Sequence, residues 1–175
     1  MAKRANIDLK FLDVPFKRAL AMTEIGSADI MLGPNRTSAR EQYMLYLKQE
    51  PPRERKKFYL RPEVPDIVIY EDLIDLTVAV LRGAVYFKRF DNDETQPKEK
   101  INTYKSGLQM VVLNRLDSVI VPELLGDHLV RKLGLSLKKA TFSHEGRPSY
   151  IAVSKKSSLV QKKRLPQLNF APDER

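Results

Sequence analysis

The sequence predicts an α/β protein. Short runs of β-branched residues alternate with stretches of helical periodicity along most of the chain. Glycine or proline marks nearly every change between them. The composition, 42% hydrophobic and 30% charged, can support a packed core. At 175 residues the chain holds one ordinary domain or two small lobes.

The elements follow in order. Ile7, Leu9 and Phe11 alternate with Asp8 and Lys10, the pattern of a half-buried strand. Asp13 is placed to cap the next helix, Pro15 suits its first turn, and Phe16, Ala19, Leu20 and Thr23 form its inner stripe. Gly26 ends that helix, and residues 29–32 read as a strand stopped by Gly33-Pro34, completing a β-α-β unit of a parallel sheet. Residues 48–57 are polar and proline-bearing, a connector before a short strand at Phe58–Leu60. Residues 62–65 break the chain again, and 67–70 fit strand or loop equally. Leu76–Leu81 is a β-branched run fit for a buried strand, closed by Arg82-Gly83. Residues 90–100 read as a polar surface loop. A helix from Asn102 places Tyr104, Leu108, Val111 and Val112 on one side. Asp117–Val121 is a strand ended by Pro122, and Leu124–Leu133 a helix stopped by Gly134. Thr141-Phe142 and Tyr150–Val153 are the last strands, turned by residues 146–149.

The chemistry-bearing motifs are mostly missing. There is no cysteine, so disulfides and thiolate chemistry are excluded. His128 and His144 are the only histidines and lack a ligand spacing, and no phosphate-binding glycine loop or nucleophile elbow occurs. Asp91, Asp93 and Glu94 resemble a scrap of a calcium loop without its glycine and terminal glutamate, and read as a hydrophilic loop. The sequence therefore predicts no metal, no cofactor and no catalysis. No apolar run approaches the length that crosses a bilayer. The basic start MAKRAN is followed by no apolar signal core, so no export signal is read in the chain.

The net charge of +9 raises nucleic acid as a partner. Its distribution argues otherwise. Residues 1–65 hold 13 basic and 8 acidic residues, 66–135 hold 9 and 11, and 136–175 hold 9 and 3. The dense basic runs, 53–57 and 161–164, lack interleaved stacking aromatics and read as solvated faces, so no nucleic-acid partner is expected. An acidic middle between basic flanks suggests one lobe inserted in another.

An ordered set of short motifs points further. Gly26 and Asp29 lead through a loop to Thr37 and Arg40 and then to Tyr43. Glu71-Asp72-Leu73 precedes the Val78–Val80 strand and Arg82-Gly83. Asn114-Arg115-Leu116-Asp117 opens the next strand, and Tyr150–Lys155 forms a return strand. Over about residues 7–158 this series resembles the bacterial extracellular solute-binding proteins of family 3, the type 2 periplasmic-binding-protein-like domains of polar amino acid ABC transporters. The resemblance implies a bilobal α/β fold, each lobe a mostly parallel sheet flanked by helices, with two crossovers and ligand in the cleft. On that mapping, 1–57 plus 139–175 form lobe one and 58–138 form lobe two with the hinge segments.

The resemblance also assigns roles. Arg40 stands where the family keeps its carboxylate-binding arginine, and a guanidinium holds a carboxylate in two parallel hydrogen bonds. Gly33, Asn35 and Thr37 fall on the loop beside it, where backbone N–H groups and a helix N-terminus would add to the pull on an anion. Gly83 and Ala84 fall on the ligand-facing loop of lobe two. Amino acid binders place a carboxylate for the ligand ammonium after the Arg-x-Asp strand; Pro122 stands there with Glu123 beside it, so either Glu123 is the substitute or the ligand is not an α-amino acid. The family's first strand and helix have no counterpart, and its long final helix gives way to a polar end with Pro166, so a shortened domain is expected.

The function so implied is capture of an amino acid or other carboxylate by a monomer in the periplasm, for the membrane subunit of an ABC transporter. The alternative is a ligand-sensing module, or a degenerate, truncated binding domain without a transport role. An enzyme on the same scaffold needs a convergent acid or base that the sequence lacks.

Overall fold

The computed structural model describes residues 8–48 and 54–161. They fall into two compact units: Met1–Pro51 with Ser149–Arg175, and Pro52–Pro148. The boundaries expected from sequence, 57/58 and 138/139, lie within or at the start of strands of the second unit's sheet.

The first unit contains a three-stranded sheet in the order β1-β8-β2, where β1 is Ile30–Asn35, β2 Met44–Tyr46 and β8 Ser149–Ser154. Both pairings are antiparallel, where the sequence suggested a parallel unit. Helix α1, Phe16–Ile25, lays Phe16, Ala19 and Leu20 on one face, against Met31, Met44, Tyr46 and Ala152. Gly26 ends the helix as expected, but Asp13 does not cap it: Pro15 holds the cap position and no side chain closes it. On the other face Leu159 and Val160 of α6, Ser158–Gln161, pack with Ile30, Ile151 and Val153.

Two local differences from the sequence reading matter here. The alternating segment at 7–11 forms no strand in its described part, residues 8–11, and Phe11 is 77% exposed. Alternation specifies two faces but not a neighbour, and this segment finds no ladder partner among the described residues. Gly33-Pro34 does not stop β1 either. The pairing with β8 shifts between Leu32 and Asn35, and Gly33 takes φ 84°, so the strand runs on through a bulge.

The second unit contains a mixed five-stranded sheet, ordered β5-β4-β6-β3-β7. Its strands are β3 Arg55–Leu60, β4 Val78–Leu81, β5 Lys98–Ile101, β6 Ser118–Pro122 and β7 Lys138–Glu145. β4 runs parallel to β5 and β6, while β3 runs antiparallel to β6 and β7. One face carries Phe58, Leu60, Val78 and Ile120, covered by Tyr70, Leu73, Tyr86, Phe87 and Phe90 from the segments around β4. That cover includes a 3-10 turn at Tyr70–Leu73 and a short helix α3 at Lys88–Asn92. The other face carries Tyr59, Ala79, Val119 and Val121 beneath α4, Tyr104–Val112, and α5, Glu123–Leu133. Thr103 caps α4 through Ser106 N at 3.1 Å, and α5 places Glu123 in its first turn and Arg131 and Lys132 in its last, as the helix dipole favours.

Two polar stretches of this unit form strand where the sequence suggests loop or solvated face. Residues 98–100, expected in a loop, form with Ile101 the edge strand β5, whose alternating charges suit a solvated edge. Residues 53–57 were expected as a solvated face, yet β3 starts at Arg55, and Lys56 and Lys57 are both buried. Run backward from Leu60 and Phe58, the period of two reaches Lys56 on the same face. Residues 162–164 of the other basic run lie outside the described residues. No described helix is long and apolar enough to cross a membrane.

The acidic stretch at 91–94 organises turns. Asp91 accepts from Tyr86 N with both carboxylate oxygens, at 3.0 and 3.1 Å. Asp93 accepts from Thr95 Oγ1 at 2.6 Å and from Tyr70 Oη at 2.7 Å, bonds that hold its carboxyl down to about 2. A depressed acid stabilises the fold above its unfolded value, and that contribution is lost as pH falls through the folded one. Asp93→Asn should therefore melt below the wild type at neutral pH. The gap should narrow between about pH 4 and pH 2, as thermal melts across that range would record.

Candidate functional site

In the first unit, the bulge in β1 fixes the site-bearing loop. Gly33 is exposed at the turn of the bulge, and Asn35, at the strand's end, is buried. Thr37 then caps the one-turn helix α2, Ser38–Glu41: its Oγ1 accepts from Arg40 N at 3.3 Å and its carbonyl from the same N–H at 2.9 Å. Arg40 is buried, and its Nη1 donates to Asn35 O at 2.9 Å while the guanidinium carbon sits 5.8 Å from the centre of the Phe16 ring. Backbone cap and side-chain bond thus hold the arginine at both ends. Gly33, Asn35, Thr37 and Arg40 are brought together in this loop. A single helical turn carries little macrodipole, so the expected contribution of a helix N-terminus is small here.

Two tyrosines complete the surroundings. Tyr46 Oη donates to the same Asn35 carbonyl at 3.3 Å, and burial pushes its hydroxyl up to about 12, against the pull of Arg40. It is therefore a neutral donor across the physiological range. Tyr43 N donates to Arg40 O at 3.0 Å, tying the residue before β2 to the one-turn helix, and Arg36 pairs with Glu41. Tyr46 carries no signal in the sequence, because its approach to Asn35 depends on the pairing of β1 and β2 with β8.

Other motif residues serve the scaffold. Asp29 holds the return segment: its carbonyl accepts from Ser154 N at 2.9 Å and its carboxylate from Ser157 Oγ at 2.5 Å. Asp72 accepts from Val68 N at 2.8 Å and Ile69 N at 3.0 Å, closing the 3-10 turn. Asp117 accepts from Thr77 N at 2.7 Å and so aligns the starts of β4 and β6.

In the second unit, Gly83 and Ala84 follow β4 and Glu123 follows β6. These strands are parallel neighbours, with Ala79 paired to Val119, so all three residues lie at the carboxyl edge of the sheet. Such edges are where open α/β sheets bind ligands. Gly83 has φ 86°, and Ala84 N returns to Leu81 O at 2.9 Å, a tight turn that a side chain at position 83 would strain. Glu123 accepts from Lys139 Nζ at 2.7 Å, and the same ammonium reaches Asp127 at 2.9 Å. Those bonds, Glu123 first, raise the affinity of Lys139 for its proton. Among the described residues no group of three or more histidines or carboxylates is placed to hold a metal ion.

No protein-family model matches the sequence, and no curated protein sequence does. Solved structures do. An ancestral arginine-binding protein bound to glutamine matches with a TM-score of 0.77 at 20% identity, over 95% of this chain and 76% of that one. The substrate-binding protein of an amino acid ABC transporter matches with 0.75 at 19% identity, over 95% and 77%. A histidine kinase sensor domain with similarity to periplasmic binding proteins matches with 0.75 at 16% identity, over 94% and 71%.

Proposed function

From the type 2 periplasmic-binding-protein-like fold that the chain shares with these structures, we propose that it captures a small polar solute bearing a carboxylate and does no chemistry on it. The observation that carries this reading is the fixing of Arg40. A guanidinium whose backbone is capped by Thr37 and whose Nη1 is bound to Asn35 O is held in one orientation before any ligand arrives. Such preorganisation lowers the cost of binding, and a planar fork suits a carboxylate. In the first unit Gly33, Asn35 and Thr37 are the further contacts in this reading, and in the second unit Gly83, Ala84 and Glu123 at the sheet edge are candidate contacts on their own.

Delivery to the membrane subunit of an ABC transporter, by a monomer outside the cytoplasm, is the role that follows if the likeness to the substrate-binding protein extends to function. A ligand-sensing module is the second reading, favoured by the likeness to a histidine kinase sensor domain. Both require capture, and they differ only in what receives the loaded domain.

Calorimetric titration tests the anchor. Arg40→Ala should weaken binding of the captured acid by about a hundredfold or more, since it removes a charged hydrogen-bonding partner from a covered position. Arg40→Lys should recover little, because an ammonium offers no parallel pair of donors. Unchanged affinity in a folded Arg40→Ala chain would remove Arg40 from the site.

A further inference from the structure

The exposed apolar residues of the first unit are not all scattered. Leu9, Phe11 and Leu12 are 48%, 77% and 49% exposed and stand together in the segment that leads into α1. Single exposed apolar side chains are ordinary, but a cluster that includes a bare phenyl ring marks a contact surface. Residues 8–15 form neither helix nor strand, so they offer a protein partner no ladder to join.

Cations surround this cluster. Lys10 lies between its members, and Lys17 and Arg18 follow in the first turn of α1. All three are exposed and make no ion pair among the described residues. Their place is poor for the helix: positive charges in a first turn oppose the macrodipole, no acid stands there to offset them, and no side chain caps the turn. Seven residues on from Arg18, Ile25 is 67% exposed on the same side of α1, because Phe16, Ala19 and Leu20 turn the other side to the sheet. The units also differ in charge. The first holds 14 basic and 8 acidic residues and the second 17 and 14, so the first carries +6 of the net +9. Asp8, Asp13 and Glu24 temper the balance near the cluster, so the attraction is that of the whole unit and the apolar residues set where it touches.

We propose that the first unit docks on an anionic lipid bilayer, with Leu9, Phe11 and Leu12 entering the interface and Lys10, Lys17 and Arg18 at the headgroups. A bilayer takes separate apolar side chains without a matching groove, and anionic headgroups reward each cation brought near them. Three side chains and a modest charge give weak, reversible association in which both signals are needed. The inference is independent of solute capture and uses the surface of the first unit alone.

The chain has no tryptophan, so Phe11→Trp puts a single fluorescent probe in the cluster. The full chain is mixed with vesicles of phosphatidylcholine, alone or blended with phosphatidylglycerol. The tryptophan emission should shift to the blue on the anionic vesicles and be quenched by bromine on their acyl chains. In co-sedimentation the wild type should bind anionic vesicles at least about tenfold more tightly than neutral ones, and added salt should weaken the binding. Phe11→Ser should lose about tenfold. Lys17→Glu with Arg18→Glu should lose at least as much, while melting no lower than the wild type because the new acids suit the first turn. Unshifted tryptophan emission on the anionic vesicles overturns the inference whatever the other variants do. So does equal binding to neutral vesicles, or binding that survives Phe11→Ser. Tighter binding to a short DNA duplex than to the anionic vesicles would assign the charge to nucleic acid and overturn it as well.

Discussion

Phe58→Ala should destabilise the protein by about 3–5 kcal/mol, the range for removing a fully buried aromatic ring. Phe58 is wholly buried in β3, an internal strand of the sheet between β6 and β7. Its ring lies 5.9 Å from that of Phe90 and 6.0 Å from that of Phe142. Those neighbours cannot simply close the void. Phe90 also packs edge-on against Tyr86, whose hydroxyl accepts from Leu81 N at 2.8 Å, so moving the one disturbs the turn after β4. The loss is a large share of the 5–15 kcal/mol that ordinary domains possess. Urea unfolding would record it as a lowered midpoint at nearly unchanged slope. A loss below about 1 kcal/mol would mean that the ring is not central to this core.

Gly126→Ala should cost about 1–3 kcal/mol, although alanine is the better helix former by about 1 kcal/mol. Gly126 lies in the middle of α5, and a Cβ there would come 2.4 Å from the Tyr59 ring. Tyr59 cannot swing away cheaply: its hydroxyl donates to Glu123 O at 3.0 Å and to Asp127 Oδ1 at 2.7 Å. Desolvation and the Asp127 bond also push its hydroxyl well above the usual range, so it stays a donor. The extra methyl must therefore lift α5 from the sheet or break those bonds. In a Tyr59→Ala background the same change should cost less, because the two positions touch. Thermal melts of the four chains give the coupling directly.

Elements with their own punctuation were legible in the sequence. Helices α1 and α5 end at Gly26 and Gly134, and β4 and β6 are β-branched runs bounded by polar residues, so periodicity located them. Elements whose residues deny their setting were not. β5 is four residues, three of them charged, and is a strand because β4 offers a ladder. The start of β3 is a pair of lysines that burial would not suggest. The segment around Phe11 has the right alternation but no ladder partner among the described residues. The type of each element is thus largely a local property, and its partner is not.

The same division holds for the site. The order of Gly33, Asn35, Thr37 and Arg40 was readable only as a pattern. The bulge that turns the strand and the Asn35 carbonyl that holds the guanidinium come from pairing with β8.

Capture of a small acid is the central claim, and a thermal-shift screen of the intact chain against amino acids, monocarboxylates and dicarboxylates tests it most directly. A true ligand at about a hundred times its dissociation constant should add roughly 2.7 kcal/mol of stability and raise the melting temperature visibly. The account predicts such a rise for at least one carboxylate and its loss in Arg40→Ala. A cooperatively melting wild type that responds to none of them would contradict it.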